Sequence, residues 1–382
     1  MPVPDLEIIV GTYEEFLLGY KTVKKEDSGC LVESFADHAH RASIRSVCAN
    51  GKFMASGSAD ETIHLYDMKA RMESGMLVHH NGTVNCLSFS PNGSHLLSGA
   101  DDGSISVVRT GSWQLEKVFA KAHKGEAVTS LSVHPSGKLA LSVGCDATLR
   151  TWNLVKGRQA YATNLGKNRT GKGRAVSCLL WSASGSMYVV AVGAEVYVYD
   201  VHTAGIIYTV QLAKKVTCVC FCEDTELAIG DDGGTLSFHS ICEKKQLNTL
   251  VAHEHRIKCV SSISIKEDNF VASASSDGQI KLWNYKNGKV NEVCCANSNC
   301  RITCLVILQA SKSRQGNKHA AQGVTQTCNG AGGEEEDLES KRLRKDGGHS
   351  ESVNKVLVNR AKKSCSLDVT CTRGQKWLVE DV

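Results

Sequence analysis

The chain has 382 residues, of which 42% are hydrophobic and 22% are charged, and its formal net charge is +4. This balance is typical of a globular protein with a sizeable core, and so small an excess of positive charge means that any basic binding surface must be local. The first residues carry an acid where a secretory signal would need positive charge. No apolar run approaches the roughly 18 residues of a membrane span, so neither a secreted nor a membrane-spanning protein is expected.

Taken in chain order, the sequence repeats one pattern. Each unit has an alternating apolar run, a turn, a second run, a tight turn around Asp or Gly, and a third run that ends in an aromatic or apolar residue. Short alternating runs bounded by turn residues predict β-strands. The residues that end the third runs recur at roughly the 40- to 47-residue period of a propeller blade, and they are Tyr66, Val108, Trp152, Tyr199, Phe238 and Trp283.

A seventh unit is divided between the two ends of the pattern. Residues 8–20 align without a gap on residues 54–66, which places Gly11 on Gly57 and Tyr20 on Tyr66. The N-terminal segment is therefore predicted to supply the middle strands of a blade and, at residues 31–35, its outer strand, while residues 301–308 supply the inner strand. Closing the ring in this way removes exposed sheet edges. The predicted fold is all-β, a seven-bladed propeller over residues 6–308 closed by N- and C-terminal strands.

Histidines precede several of the units, and with them the chain resembles the WD-repeat family. The resemblance implies a hydrogen-bonded brace in each blade, made by a loop His, a second-strand Ser or Thr, a turn Asp and the terminal Trp, since buried polar groups each need a partner. Carried over by position, the brace residues are His123, Ser142, Asp146 and Trp152 in one blade and His253, Ser273, Asp277 and Trp283 in another. Ser, His and Asp also form catalytic triads, but a set that recurs in successive blades indicates structure, so no catalytic residue is expected.

Seventeen cysteines occur in the chain. Several alternate along predicted strands, as Cys218 and Cys220 do, which indicates buried free thiols in a reducing compartment. The densest cluster, from Cys294 to Cys304, lacks the C-x-x-C spacing of a zinc site. Neither a metal nor a cofactor is therefore expected.

Residues 166–174, GKNRTGKGR, come within one residue of the loop that cradles nucleotide phosphates. That loop needs a hydroxyl at its last position and a helix after it, whereas this chain has Gly173 there and then a strand-like run, so nucleotide hydrolysis is not expected. The surrounding stretch instead holds no Asp or Glu from residue 147 to residue 194. Its basic residues are candidate contacts for RNA phosphates or for an acidic protein, and the alternative is that they form a solvated loop. These residues are Arg150, Lys156, Arg158, Lys167, Arg169, Lys172 and Arg174.

The repeat pattern ends before residue 309. Residues 309–382 are polar and low in complexity, with an acidic run at 334–337, and such a segment buries too little apolar surface to order itself. It is expected to be a disordered charged tail. A basic cluster within it is a candidate nuclear-import signal or else a solvated charge run, and it comprises Lys341, Arg342, Arg344 and Lys345.

Four stretches, at residues 60–68, 77–87, 122–158 and 273–283, resemble the family of PAK-kinase-interacting WD-repeat proteins. The resemblance implies a non-enzymatic scaffold of the nucleus and nucleolus, which acts in large-ribosomal-subunit assembly and pre-rRNA processing with protein and RNA partners. It also implies, as an alternative, inhibition of a PAK-family serine/threonine kinase. A substrate receptor of a ubiquitin ligase is a more distant alternative, since no helical adaptor box is seen. Neither a membrane nor a small-molecule substrate is expected.

Overall fold

The computed structural model describes residues 4–24, 29–165, 176–266, 268–286 and 288–310. Within these ranges, 28 strands form seven four-stranded antiparallel sheets, and no helix occurs. The sequence accounts for this, because its short alternating runs offer no apolar stripe at helical spacing. The protein is a seven-bladed β-propeller, as the repeat predicts, and no helix in the described ranges could cross a membrane.

Six blades are each built from four consecutive strands, and the first strands of neighbouring blades contact one another around the centre. The strands of blades 1 to 3 are β4 (Ile44–Ala49), β5 (Phe53–Ser58), β6 (Ile63–Asp67), β7 (Met72–Leu77), β8 (Val84–Phe89), β9 (His95–Ala100), β10 (Ile105–Arg109), β11 (Leu115–Phe119), β12 (Val128–Val133), β13 (Leu139–Gly144), β14 (Thr148–Asn153) and β15 (Arg158–Asn164). Those of blades 4 to 6 are β16 (Val176–Trp181), β17 (Met187–Val192), β18 (Glu195–Asp200), β19 (Gly205–Gln211), β20 (Val216–Glu223), β21 (Glu226–Asp231), β22 (Thr235–Ser240), β23 (Lys245–Val251), β24 (Ile257–Ile265), β25 (Asp268–Ser275), β26 (Gln279–Lys286) and β27 (Lys289–Asn297).

The closing blade joins the two ends of the described propeller. Its strands are β1 (Leu6–Thr12), β2 (Leu17–Lys24), β3 (Gly29–Asp37) and β28 (Ile302–Gln309), in the order β28-β1-β2-β3. In the antiparallel register, Ile8 lies opposite Ile307 on one side and Tyr20 on the other. The prediction of a blade shared between N- and C-terminal strands is therefore confirmed.

Adjacent blades approach closely at their inner strands. The Ile or Val that begins each inner strand is buried, and Val84 packs against Gly57 of the preceding blade. A Cβ on Gly57 would lie 2.6 Å from Cγ1 of Val84, so any side chain there would clash. Gly99 has the same relation to Val128, at 2.7 Å. These glycines are required by the close blade-to-blade packing rather than by turn conformation, because neither has a positive φ.

Candidate interaction surface and the blade braces

The brace of blade 3 joins four side chains from three parts of the chain. His123 lies in the loop before β12, Ser142 is in β13, and Trp152 is near the end of β14. The Ser142 hydroxyl accepts the Trp152 indole N–H at 2.8 Å and lies 2.7 Å from Nε2 of His123. The other imidazole nitrogen, Nδ1, lies 2.9 Å from the Asp146 carboxylate.

The direction of these hydrogen bonds follows from the donors available. Because Asp146 accepts, Nδ1 of His123 carries the proton, and Nε2 then accepts from the Ser142 hydroxyl. Burial lowers the pKa of His123 below its ordinary value, in spite of the opposing effect of Asp146. Burial also raises the pKa of Asp146, but the hydrogen bonds from His123 and Thr148 outweigh it, so the net shift is downward. At neutral pH the brace therefore holds a neutral imidazole and an ionised carboxylate, and Ser142 is fully buried.

The brace of blade 6 differs from the prediction at one bond. Ser273 again joins its partners, 2.8 Å from Nε2 of His253 and 2.9 Å from the indole nitrogen of Trp283. However, Nδ1 of His253 has no hydrogen-bond partner among the described residues. The carboxylate of Asp277 accepts the backbone N–H of Gln279 at 3.2 Å, as Asp146 accepts that of Thr148, but no hydrogen bond joins Asp277 to the imidazole.

A hydroxyl two residues after the turn Asp explains this difference, and the sequence analysis missed it. In blade 3 the Thr148 hydroxyl donates to Asp146 at 2.7 Å and orients the carboxylate toward the imidazole. Blade 6 has Gln279 at the corresponding position, which offers no short hydroxyl. Blades 1 and 2 follow blade 3, with the sets His40, Ser56, Asp60 and Thr62 and His80, Ser98, Asp102 and Ser104. The signal that could have found these hydroxyls is Asp-x-Ser/Thr at the turn.

Blade 4 has no such brace. The position of Ser142 is occupied by Val190, which is fully buried, and the turn between β17 and β18 is reduced to Gly193 and Ala194. Aromatic rings take the place of the polar network. Trp181 packs edge-on against Tyr188 at 5.3 Å between ring centroids, and Tyr188 stacks on Tyr199 at 4.8 Å with the rings 5° from parallel.

Comparisons with known proteins agree with this architecture. The family described as WD domain, G-beta repeat matches residues 29–67, 73–108, 113–153 and 244–284. The p21-activated protein kinase-interacting protein 1-like of Xenopus laevis is 42% identical over 304 residues, which cover 78% of this chain and 81% of that protein. The p21-activated protein kinase-interacting protein 1 of Homo sapiens is 43% identical over 310 residues, which cover 78% of this chain and 76% of that protein. The chain belongs to this WD-repeat family.

Two more distant likenesses extend the comparison. Protein MAK11 of Saccharomyces cerevisiae is 25% identical over 352 residues, covering 80% of this chain and 83% of that protein. The solved structure of U3-55K matches with a TM-score of 0.61 at 18% identity, covering 70% of this chain and 85% of that one. At that identity the structural likeness shows the fold alone.

The basic residues of the acid-free stretch are in different environments. Arg150 belongs to the brace, since its side chain is 11% exposed and its guanidinium donates to Asp146 at 3.1 Å and to Gln159 at 2.8 Å. Lys156 and Arg158 are exposed. The other four candidates, at positions 167, 169, 172 and 174, lie outside the described residues, as does the candidate import signal at 341–345. Directly after the basic loop comes β16, a strand and not the helix that a phosphate loop would need.

The cysteines that the structure describes are free thiols. Burial raises the pKa of Cys86 to about 12 and that of Cys178 to about 11. Such thiols are protonated at neutral pH and are poor nucleophiles and poor metal ligands. In the described part of the chain, no group of three or more His, Cys, Asp or Glu side chains could hold a metal ion.

Proposed function

We propose that this protein is a non-enzymatic scaffold in nucleolar assembly of the large ribosomal subunit, where it binds protein and RNA partners and supports pre-rRNA processing. Its membership of the WD-repeat family, with relatives at 42% and 43% identity, supports an interaction role. The Ser, His and Asp side chains that resemble a catalytic set form hydrogen bonds with one another and with Trp152 inside a buried brace. A rigid propeller that presents loops fits this role better than it fits catalysis.

The observation that carries the RNA part of the proposal is the stretch from residue 147 to residue 194, which has seven basic residues and no acid. Acids and bases are interspersed elsewhere in the propeller, so this sector can attract phosphates although the net charge of the chain is only +4. Four of the seven, Lys167, Arg169, Lys172 and Arg174, fall within residues 166–174 of the sequence.

Gradient fractionation of cell extract tests this proposal. The wild-type protein is expected in the fractions of precursor ribosomal particles. The variant Lys167→Ser/Arg169→Ser/Lys172→Ser/Arg174→Ser is expected to move to the free pool, because each lost phosphate contact weakens binding and reduces its salt dependence. Its melting temperature should be nearly unchanged, since the proposal assigns these charges to RNA binding and not to the packing of the propeller.

A matched control removes four exposed lysines from blades 5 and 6, Lys244, Lys245, Lys286 and Lys289, in the same way. This control should remain with the particles. If the loop variant also remains there with an unchanged response to salt, the loop does not bind RNA. If the wild-type protein is never found with the particles, the ribosomal proposal is wrong.

Regulation of a PAK-family serine/threonine kinase is the second candidate, and it is favoured by the names of the vertebrate relatives, which are described as p21-activated protein kinase-interacting proteins. Here the propeller would bind the kinase and lower its activity. The measurement is phosphorylation of a model substrate by the purified kinase with increasing amounts of this protein. A dose-dependent fall in rate would support inhibition, whereas an unchanged rate at saturating protein would exclude it. A ubiquitin-ligase receptor is the more distant third candidate, tested by co-purification with a ligase core.

A further inference from the structure

The seam between blades 3 and 4 carries four aromatic side chains, Tyr161 of β15 and Trp181, Tyr188 and Tyr199 of blade 4, here called the aromatic seam. Trp181 pairs in register with Tyr188, and Tyr188 with Tyr199, so the three side chains project from one face of blade 4. In blade 3 the corresponding residues are Val133, Ala140 and Trp152. The row of three rings thus belongs to blade 4 and is not part of the common blade pattern.

Tyr161 faces this row from the other side. It lies opposite Thr151, and alternate residues of β14 share a face, so Tyr161 is on the same face as Leu149. Leu149 packs in one cluster with Val190 and Tyr197 of blade 4. The Tyr161 ring therefore points toward blade 4. The pKa of Tyr188 is raised to about 12, chiefly by burial, then by the nearby phenol of Tyr199 and last by that of Tyr161.

The seam is open to solvent at its outer side. All seven residues of β15 are exposed, and no other described strand has this property. Tyr161 itself is 67% exposed. Among the described residues, the hydroxyls of Tyr161, Tyr188 and Tyr199 form no hydrogen bond, and the buried indole N–H of Trp181 has no partner. The exposed Tyr161 ring, with phenol groups beside it that form no hydrogen bond with a described residue, is thus available to a ligand.

Two cations lie at the edge of the seam. Lys156 and Arg158 are exposed at the start of β15. The nearest acids in the chain are already engaged: Asp146 binds His123 and Arg150, and Glu195 accepts the Tyr197 hydroxyl at 2.6 Å. Asp200 accepts the backbone N–H and the hydroxyl of Thr203, each at 2.8 Å. These carboxylates have hydrogen-bond donors of their own, whereas Lys156 and Arg158 form no ion pair with a described residue.

We propose that the aromatic seam binds single-stranded RNA, with a base stacked on Tyr161 against the wall formed by Tyr188 and Tyr199, and with phosphates on Lys156 and Arg158. This inference rests on the proposed role in ribosome assembly and names the kind of RNA that the propeller takes. Exposed rings beside cations are the usual means of holding unpaired nucleotides, because every base has a face that can stack. Duplex RNA hides those faces. The carboxylates of an acidic peptide would bind the cations but would not stack on the aromatic rings.

The test measures anisotropy of a labelled, unstructured RNA rich in adenine and cytosine, with the purified full-length protein. Tyr161→Ala should weaken binding about tenfold, which is within the range for one lost stack, and should leave the salt slope unchanged. Tyr161→Phe should restore most of the affinity, since the ring remains. Lys156→Ser and Arg158→Ser should each lower the salt slope by about 0.7, the value for one contact with a single strand.

Two control variants come from other blades. Val251 is 78% exposed at the end of the outer strand β23, and Val251→Ala removes exposed apolar surface without removing a ring. Lys289 begins the outer strand β27 as Arg158 begins β15, and Lys289→Ser removes a matched charge. Both controls should bind the RNA as the wild type does. The basic loop at 166–175 is left intact in every variant, so that any loss is assigned to the seam.

Three results would overturn the inference: Tyr161→Ala binding like wild type, duplex RNA of the same sequence binding as tightly as the single strand, or an oligoglutamate peptide displacing the RNA with equal effect on wild type and Tyr161→Ala. The last would assign the surface to an acidic protein. If Tyr161-dependent binding is found but the protein is absent from precursor ribosomes, the inference stands and the proposed function fails. If the protein sediments with the particles and Tyr161→Ala binds RNA normally, the proposed function stands and the inference about the seam fails.

Discussion

Blades 3 and 4 are neighbours with the same four-strand topology, but their strands are held together by different means. In blade 3 a buried polar network joins loop, strand and turn through Ser142. In blade 4 the same position is Val190, and stacked Tyr188 and Tyr199 fill the space beside it. The pairing of the second strand with the third is antiparallel and continuous in both blades. The propeller blade therefore does not depend on the brace.

The turns explain why one blade needs the brace. Val143 and Leu149 are the last paired residues of the hairpin in blade 3, so a loop of five residues separates them, and Asp146 orders that loop through Thr148 and His123. In blade 4 the pairing continues to Val192 and Glu195, and only Gly193, with φ of 63°, and Ala194 remain unpaired. A two-residue turn fixes its own geometry when Gly supplies the positive φ. The longer loop needs side-chain bonds to order it.

The largest effect is expected where the brace meets the core. Trp152 is buried, donates to Ser142 and packs 4.6 Å from the Phe119 ring, so Trp152→Ala should lower the free energy of unfolding by about 3–5 kcal/mol. Tyr199→Ala in blade 4 removes a half-buried ring that forms no hydrogen bond with a described residue, so the free energy of unfolding should fall by only about 1–2 kcal/mol. Urea unfolding of both variants gives the comparison. Equal losses would mean that the polar network adds nothing to packing.

The second prediction exchanges the two blades at one position. Ser142→Val gives blade 3 the residue of blade 4 and leaves the Trp152 indole N–H and Nε2 of His123 without partners, which should cost about 2–4 kcal/mol. The exchange of similar volume in blade 4, Val190→Thr, buries one unpaired hydroxyl and deprives no neighbour of a partner, so about 1–2 kcal/mol is expected. Thermal unfolding of both proteins measures the difference. A harmless Ser142→Val would show that the brace is dispensable even where it is complete.

The sequence predicted the common features of the blades well and the individual features poorly. Strand alternation and the period of Tyr66, Trp152 and Trp283 were sufficient for seven blades, and the alignment of residues 8–20 was sufficient for the closing blade. Repetition makes such signals strong, because each blade is independent support for the same pattern. The hydroxyl of Thr148, by contrast, acts by orienting one carboxylate, which spacing alone does not show.

The aromatic seam could not be predicted for a related reason. Tyr161 belongs to a different blade from Trp181 and Tyr188, and each residue is ordinary in its own strand, where aromatic residues are common. Trp181 and Tyr188 come together through the pairing of β16 with β17, and Tyr161 joins them because it lies on the face of blade 3 that packs against blade 4. The position of Arg150 was equally hidden. Its sequence neighbours indicate a basic surface, whereas the structure places its guanidinium on Asp146.

The third prediction concerns acid, and it separates blades with a brace from blade 4, whose single histidine, His202, is exposed in a turn. Burial, followed by the charge of Lys281, lowers the pKa of His253 to about 4, against about 6.5 in the unfolded chain. Because the pKa of His253 is lower in the folded protein, the unfolded chain binds the proton first. The contribution of the neutral imidazole to the free energy of unfolding is therefore complete above pH 6.5 and is lost as the pH falls from about 6.5 to about 4. For His253→Gln, the stability lost between pH 7 and pH 5 should be smaller than for wild type by about 2 kcal/mol. Urea midpoints at the two pH values measure this, and parallel losses would contradict it.

The smallest effects separate the basic residues of blade 3 itself. Arg150 donates to Asp146 and Gln159 and is nearly buried, so Arg150→Gln should cost about 1 kcal/mol of stability and leave the salt dependence of RNA binding unchanged. Lys156→Ser and Arg158→Ser should do the opposite, with stability changed by less than about 0.5 kcal/mol and the salt slope reduced. Melting temperature and salt-dependent binding are measured on the same preparations. If Arg150→Gln reduced the salt slope as Arg158→Ser does, the guanidinium would have to leave Asp146 to meet RNA, and the division of blade 3 into a structural brace and a binding edge would be wrong.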